Sequence, residues 1–256
     1  MRGISIGSAA RPAGAICAGC GWCDWFAPAL TDTQATVEMQ CAVEHRHAVR
    51  RGCPLLRAGE RLQMIYALTR GLLKTSLADL EGRVQVTGFS LPGELVGIEA
   101  IAGGSYPCNV TAVEDSVCCG IRYADLDRLS HGNGALQNHL HRAMSREINR
   151  DHELMFLLGN MSADERVAQF LLNLSARYAA LGRSAACFRL SMSRREIASY
   201  LGLKVETISR VMTRLNGRRI IAVRGKDIEV RSFEGLQQIV GDDGKRDVAV
   251  RAIVPH

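Results

Sequence analysis

The chain has no apolar run approaching the ~20 residues that a membrane-crossing helix requires, so a bilayer span is not expected. Its opening stretch, MRGISIGSAARPAGAI, holds no sustained apolar core, which argues against a secretory leader. No Ser/His/Asp set, phosphate-binding loop or pair of catalytic acids stands out, and the seven histidines show no metal-ligand spacing. An enzyme is therefore not expected. Surplus charge is also missing from most of the chain. Residues 189–231 hold eleven Lys/Arg and four Asp/Glu, while the remaining 21 basic and 22 acidic residues nearly cancel. The net charge of +6 thus sits wholly in one segment, the footprint expected of a surface that meets phosphates.

What remains is an ordinary globular composition, 47% hydrophobic and 23% charged over 256 residues, with room for one large or two modest domains. Nine cysteines are many. With one segment charged to meet phosphates, a reducing cytoplasm is the expected compartment, where clustered thiols hold metal or sense redox state more often than they form disulfides.

Residues 193–217, SRREIASYLGLKVETISRVMTRLNG, carry the clearest pattern. Ser193 with Glu196 forms a capping box, and Ile197, Ala198 and Leu201 give one apolar face. Gly202 stops that helix, and Val205, Ile208, Val211, Met212 and Leu215 mark a second helix resting on a core. A small Ala198, a turn glycine and a plugging Leu203 complete a helix-turn-helix. The outward face of the second helix carries Glu206, Thr207, Ser209, Arg210 and Arg214. Arginine can grip guanine bidentately, a carboxylate can accept from cytosine N4, and serine can do either. The plainer reading is a solvated face that binds nothing; the localised charge argues against it.

Near the front, Cys17, Cys20 and Cys23 follow a C-x2-C-x2-C spacing, with Gly19 and Gly21 letting the backbone curl. Three close thiolates plus one distant one suit an iron–sulfur cluster. Structural zinc or a metal-free dithiol are the alternatives. The distant partner is best sought at Cys118-Cys119. Cys108 and Cys187 read as buried small hydrophobes. Short apolar runs at residues 64–68, 72–77, 84–89, 95–98, 110–113 and 117–121, punctuated by glycine, suggest an antiparallel sandwich or roll. Residues 135–158 read as one long helix. On it Met144, Ile148, Asp151, Met155 and Leu158 fall at the alternating steps of a coiled-coil seam. Asp151 is the exception to an apolar stripe: either a solvated acid turned out of the seam, or a charge that weakens pairing across a two-fold axis. Met161-Ser162-Ala163-Asp164-Glu165 opens a further helix with a capping box, and residues 220–230 look like a two-stranded wing.

Several of these stretches, LGLKVETISR, YALTRGLLKTSL, VTGFSLPGELVGIEAIAGG, VEDSVCCGI and SADERVAQFLLNLSARYAALG, resemble the Crp/FNR family of bacterial transcription regulators, specifically its oxygen-responsive FNR branch. The resemblance runs along most of the chain in the same order. It implies an α+β fold: a Crp-type β-roll (a cyclic-nucleotide-binding-like jelly roll), a long dimerisation helix and a C-terminal winged helix-turn-helix. The expected organisation is a flexible, cysteine-bearing N-terminus over residues 1–30, the β-roll sensor over 31–130, the dimerisation helix over 131–159, the DNA-binding domain over 160–240 and a tail over 241–256.

The same resemblance implies a homodimer that binds double-stranded DNA at a TTGAT-ATCAA-like palindrome through Glu206, Ser209 and Arg210, with RNA polymerase as a further partner. It implies a redox-responsive regulator, mainly an activator, gated by an oxygen-labile [4Fe–4S] cluster. It places one ligand on Cys119, and it matches Asp151 to an aspartate that keeps the cluster-free protein monomeric. The family's third N-terminal ligand aligns with Phe26, so Cys23 would substitute from three positions earlier, with Cys41 and Cys53 as possible replacements. Cyclic-nucleotide binders follow Gly-Glu with an Arg-Ser that holds the phosphate. Here Gly93-Glu94 is present, but Gly104-Ser105-Tyr106-Pro107-Cys108-Asn109 supplies no arginine, so cyclic AMP is not the expected effector. A sensor built on zinc, haem or a thiol switch is the alternative, and a ferredoxin-like redox protein is more remote.

Overall fold

The computed structural model describes residues 42–241. Cys17, Cys20, Cys23, Phe26 and Cys41 lie outside the described residues, as does the tail from residue 242. Two compact units divide within the long helix, between Ile148 and Asn149, with Arg83–Val86 assigned to the second.

The first unit is the β-roll. Its strands are β1 (Val43–Val49), β2 (Pro54–Leu56), β3 (Met64–Arg70), β4 (Leu73–Ala78), β5 (Val84–Ser90), β6 (Leu95–Val96), β7 (Asn109–Ala112) and β8 (Ser116–Arg122). They form two four-stranded sheets, ordered β1-β8-β3-β6 and β2-β7-β4-β5. The pairings β1–β8, β3–β8, β3–β6, β2–β7 and β4–β7 are antiparallel. Every apolar run expected from the sequence is a strand; β1, which is rich in polar residues, and β2, only three residues long, are additional.

Side chains alternate across a strand, so the central strand β8 serves two cores. Cys118 joins Tyr66, Leu68, Leu73, Val110 and Ala112 between the sheets. Cys119 joins Ile65, Ala67 and Ile121 on the opposite face. That second face is covered by α1 (Tyr123–Gly132) and the start of α2 (Gly134–Asn160), through Leu126, Leu129, Leu136, Leu140 and Ala143. Between the two cysteines and Ile121, Gly120 is required by close approach. A Cβ there would come within 2.7 Å of Met64 Cε and 2.9 Å of the Tyr66 ring.

The sequence reading placed one helix at 135–158 and did not foresee α1. Asn133 breaks the two apart, its side-chain Oδ1 accepting from the Leu136 N–H at 3.0 Å as an N-terminal cap. At 27 residues α2 spans about 40 Å. Among the described residues no helix is long and apolar enough to cross a membrane.

The second unit contains α3 (Ala163–Ala180), β9 (Cys187–Arg189), α4 (Arg194–Leu201), α5 (Val205–Gly217), β10 (Ile221–Arg224), β11 (Asp227–Val230) and α6 (Phe233–Gly241). Its sheet has three strands in the order β10-β11-β9, so the wing gains a strand over the two expected. The expectation that Cys187 is buried is corrected: it is exposed, because it begins the edge strand β9 with only Phe188 turned inward. Cys108 is buried as expected.

Candidate nucleic-acid interface and sensor thiol

The helix-turn-helix is built from local rules that the distances make explicit. At the start of α4, the Ser193 N–H donates to Glu196 Oε2 at 2.7 Å and the Glu196 N–H donates to Ser193 Oγ at 3.2 Å. Two of the helix's orphan donors are thus satisfied reciprocally. At its end Gly202 adopts φ 61°, ψ 36°, a left-handed conformation that strains any residue with a Cβ. Its N–H donates to the Ser199 carbonyl oxygen, and the Leu203 N–H donates to that of Ala198 at 2.9 Å. Ala198 is 3% exposed, which lets α5 pack closely; Ile208, Val211, Met212 and Leu215 of α5 are all buried.

That packing leaves Glu206, Ser209, Arg210 and Arg214 exposed and Thr207 half-buried on the opposite face of α5. Arg210 makes no hydrogen bond or ion pair with the described residues, so its guanidinium fork is free. Ser209 Oγ donates to the Val205 carbonyl oxygen at 3.1 Å, which leaves the hydroxyl as an acceptor for an incoming donor. Arg214 is placed otherwise than expected. It is paired with Asp164, in the first turn of α3, and so is held against its own fold. The wing's Lys226 is likewise engaged, its Nζ donating to the Ser191 carbonyl oxygen at 2.8 Å.

Replacing Arg210 with Ala should cost about 1–3 kcal/mol of specific binding and relax the preference at the base it meets. Gel shifts against single-base operator variants would read this; an unchanged base preference would exclude Arg210 from readout.

Of the four thiols expected to hold a cluster, Cys119 alone falls among the described residues. It is 1% exposed, in an apolar layer that it shares with Leu140 and Ala143 of α2, with Met144 packed against the same layer. Val43 pairs with Ile121 and Glu44 with Gly120, so β1 begins beside the residues that follow Cys119. The twenty positions from Cys23 to Val43 could span about 60 Å if extended, ample reach for the front cysteines. Among the described residues no group of three or more His, Cys, Asp or Glu could hold a metal ion. A metal at Cys119 therefore takes its other ligands from elsewhere in the chain. A buried thiol is a soft donor of the kind that iron–sulfur clusters take.

The neighbouring thiols lie in the other core, between the sheets. Burial between the sheets pushes the Cys118 thiol up to about 12, which keeps it protonated. Burial, reinforced by the Glu99 carboxylate, raises the Cys108 thiol well above its ordinary range, and its Sγ donates to Glu99 Oε1 at 3.1 Å.

One residue that the sequence did not single out is Arg166, in the first turn of α3. Its Nε donates to the Met161 carbonyl oxygen at 2.8 Å, its Nη2 to that of Leu158 at 2.8 Å and its Nη1 to that of Leu201 at 3.0 Å. No local pattern marks such a residue, because its partners lie at the ends of two other helices.

Comparison with known proteins agrees with this geometry. A Crp-like helix-turn-helix domain matches residues 165–239, and a cyclic nucleotide-binding domain matches residues 46–133. The transcriptional activator protein Anr of Pseudomonas aeruginosa is 42% identical over 222 residues, 84% of this chain and 90% of its own. The fumarate and nitrate reduction regulatory protein of Escherichia coli is 40% identical over 199 residues, 78% of this chain and 80% of its own. The solved structure of FixK2 from Bradyrhizobium japonicum superposes with a TM-score of 0.71 at 28% identity, covering 76% of this chain and 96% of that one. On these matches and this helix-turn-helix, the chain belongs to the Crp/FNR family of DNA-binding transcription regulators.

Proposed function

We propose that this regulator is an oxygen-responsive activator, in which Cys17, Cys20, Cys23 and Cys119 hold a [4Fe–4S] cluster and α2 pairs two chains over a palindromic operator. The observation that carries the reading is the position of Cys119 in one apolar layer with Leu136, Leu140 and Ala143 of α2. A change in what occupies that layer acts directly on the helix proposed to dimerise, with no intermediary.

When bound, the cluster would supply a redox-labile group that oxygen degrades. The protein's own residues do the rest. Further along α2, Ile148 is 54% exposed and Met155 61% exposed, with Asp151 exposed between them. This is an apolar stripe interrupted by one acid, as a conditional dimer seam would be. Leu158, placed in that seam by its spacing, instead packs its Cδ2 toward Gly202, 3.0 Å from where a Cβ would stand. The proposed seam is therefore Met144, Ile148, Asp151 and Met155. Pairing along it would set two α5 helices about one DNA turn apart, ~34 Å, on half-sites of a TTGAT-ATCAA type. In each half-site Glu206, Ser209 and Arg210 would read bases, with Thr207 beside them. Arg214 would help position the helix rather than read, unless DNA drew it from Asp164. RNA polymerase is the expected further partner.

Cyclic AMP is a poor fit. The loop of residues 104–109 supplies no arginine, and its Cys108 is hydrogen-bonded to the carboxylate of Glu99. Glu99 is itself held by the Gly97 N–H at 3.1 Å. An anionic phosphate beside Cys108 would meet the Glu99 carboxylate.

The test is purification under strict anaerobiosis, with iron, acid-labile sulfide and sedimentation measured before and after air. The expected result is a brown dimer with near-equal iron and sulfide that bleaches to monomer. Zinc in place of iron, or colourless metal-free protein, would overturn the cluster.

A further inference from the structure

We propose that Arg166 is the positioning residue that fixes the tip of α2 against the reading helix, and that it thereby sets the half-site spacing a dimer will accept. This rests on the paired-α2 reading above.

The argument begins with orphaned carbonyls. The last four carbonyl oxygens of a helix have no intrahelical donor. At the end of α2, the Leu158 and Met161 oxygens look to the N–H groups of Ser162 and Glu165 for their usual partners. Both of those are committed to the α3 capping box, the Ser162 N–H to Glu165 Oε2 at 2.7 Å and the Glu165 N–H to Ser162 Oγ at 3.4 Å. At the end of α4, the left-handed turn sends the Leu203 N–H back to Ala198 and the Gly202 N–H to Ser199, which leaves the Leu201 oxygen over. The five donors of one guanidinium satisfy all three, at 2.8, 2.8 and 3.0 Å. Two helix C-termini, each a partial negative charge, therefore converge on one cation.

The contact is also tightly fitted. A Cβ on Gly202 would lie 3.0 Å from Leu158 Cδ2 and 3.4 Å from Arg166 Nη1, so the α2 tip and the turn meet without slack. Four residues after Leu201, α5 begins at Val205. The bonds are planar and directional, so they resist rotation of the α2 tip about the turn in a way that apolar packing does not. Leverage makes the angle matter. A rotation there that carries each reading helix by roughly one base-pair rise, ~3.4 Å, changes the spacer that both helices can fit.

The test uses full-length Arg166→Gln and Arg166→Lys proteins in the Asp151→Ala background, with duplexes whose two half-sites are separated by every spacer around the best one. Lysine keeps the charge at both helix ends but loses the fork; glutamine loses both and ends about where the arginine Nε stands. The parent is expected to prefer one spacer sharply. In Arg166→Gln, affinity for that spacer should fall about tenfold while neighbouring spacers come within a few-fold of it. Affinity for a lone half-site should stay within about twofold of the parent's. Arg166→Lys should broaden in the same direction and serves as the better-folded variant if glutamine destabilises the unit. A sharp preference retained in both variants, or an equal loss at every spacer and at the half-site, would overturn the assignment and leave Arg166 a stabilising residue only. Sedimentation of the parent complex separates the two levels. One protomer per duplex overturns the paired-helix reading and this inference with it. Two protomers with an unchanged spacer profile overturn this inference alone.

Discussion

Cys119→Ala is expected to yield protein that binds no cluster even under strict anaerobiosis, stays monomeric, and loses operator affinity by about 10²–10³-fold. That magnitude is the gap between a dimer engaging both half-sites and a monomer engaging one. The side chain lies in an apolar layer at 1% exposure, and alanine removes the sulfur while keeping a small apolar group there. Cys118→Ala is the matched control. It removes an equally buried thiol from the adjacent position, but from the core between the sheets, on the face turned away from α2. Iron content and sedimentation should therefore separate two cysteines that neighbour each other in sequence. A cluster retained in Cys119→Ala, or lost equally from both variants, would remove Cys119 as a ligand.

That these neighbours face different cores was legible beforehand, since alternation along a strand is a local rule, and β8 obeys it. The capping boxes at Ser162 and Ser193 and the left-handed Gly202 were legible for the same reason: each is a decision made within four residues. What escaped was settled by partners distant in sequence. The strand β9 is three residues, CFR, too short to show a period, and exists because β11 pairs with it through Asp227, Ile228 and Glu229. The helix α1 follows β8 without a break in the chain, and only the core it shares with Cys119 and Leu140 makes its apolar residues intelligible. Arg214 looked available for DNA because nothing nearby in sequence opposes it; its partner Asp164 is fifty positions away. The pattern of α5 thus gave the reading face, but not which of its arginines is already engaged.

Asp151→Ala should produce cluster-free dimer in air, with a dimerisation constant raised about a hundredfold. On α2 the acid stands exposed between Ile148 and Met155. Fully burying each of those apolar side chains is worth roughly 1.5–3 kcal/mol, so four of them across a two-fold axis supply at most about 6–12 kcal/mol. Association itself costs an estimated 4–15 kcal/mol, which puts the seam near balance. Two carboxylates about 6 Å apart, at an effective dielectric near 20, add about 3 kcal/mol of repulsion, enough to decide the outcome. Charge and shape can be separated. Asp151→Asn removes the repulsion while keeping a polar group of similar size, and should recover most of the effect; alanine adds a small gain in helix propensity. Salt provides an independent readout, since the Debye length falls from about 10 Å at 0.1 M to about 3 Å at 1 M. Dimerisation of the cluster-free parent should therefore strengthen with salt more steeply than that of Asp151→Ala. Sedimentation showing the same monomer fraction for parent, alanine and asparagine proteins at every salt concentration would mean that Asp151 points away from its counterpart and that pairing is restrained by something other than charge.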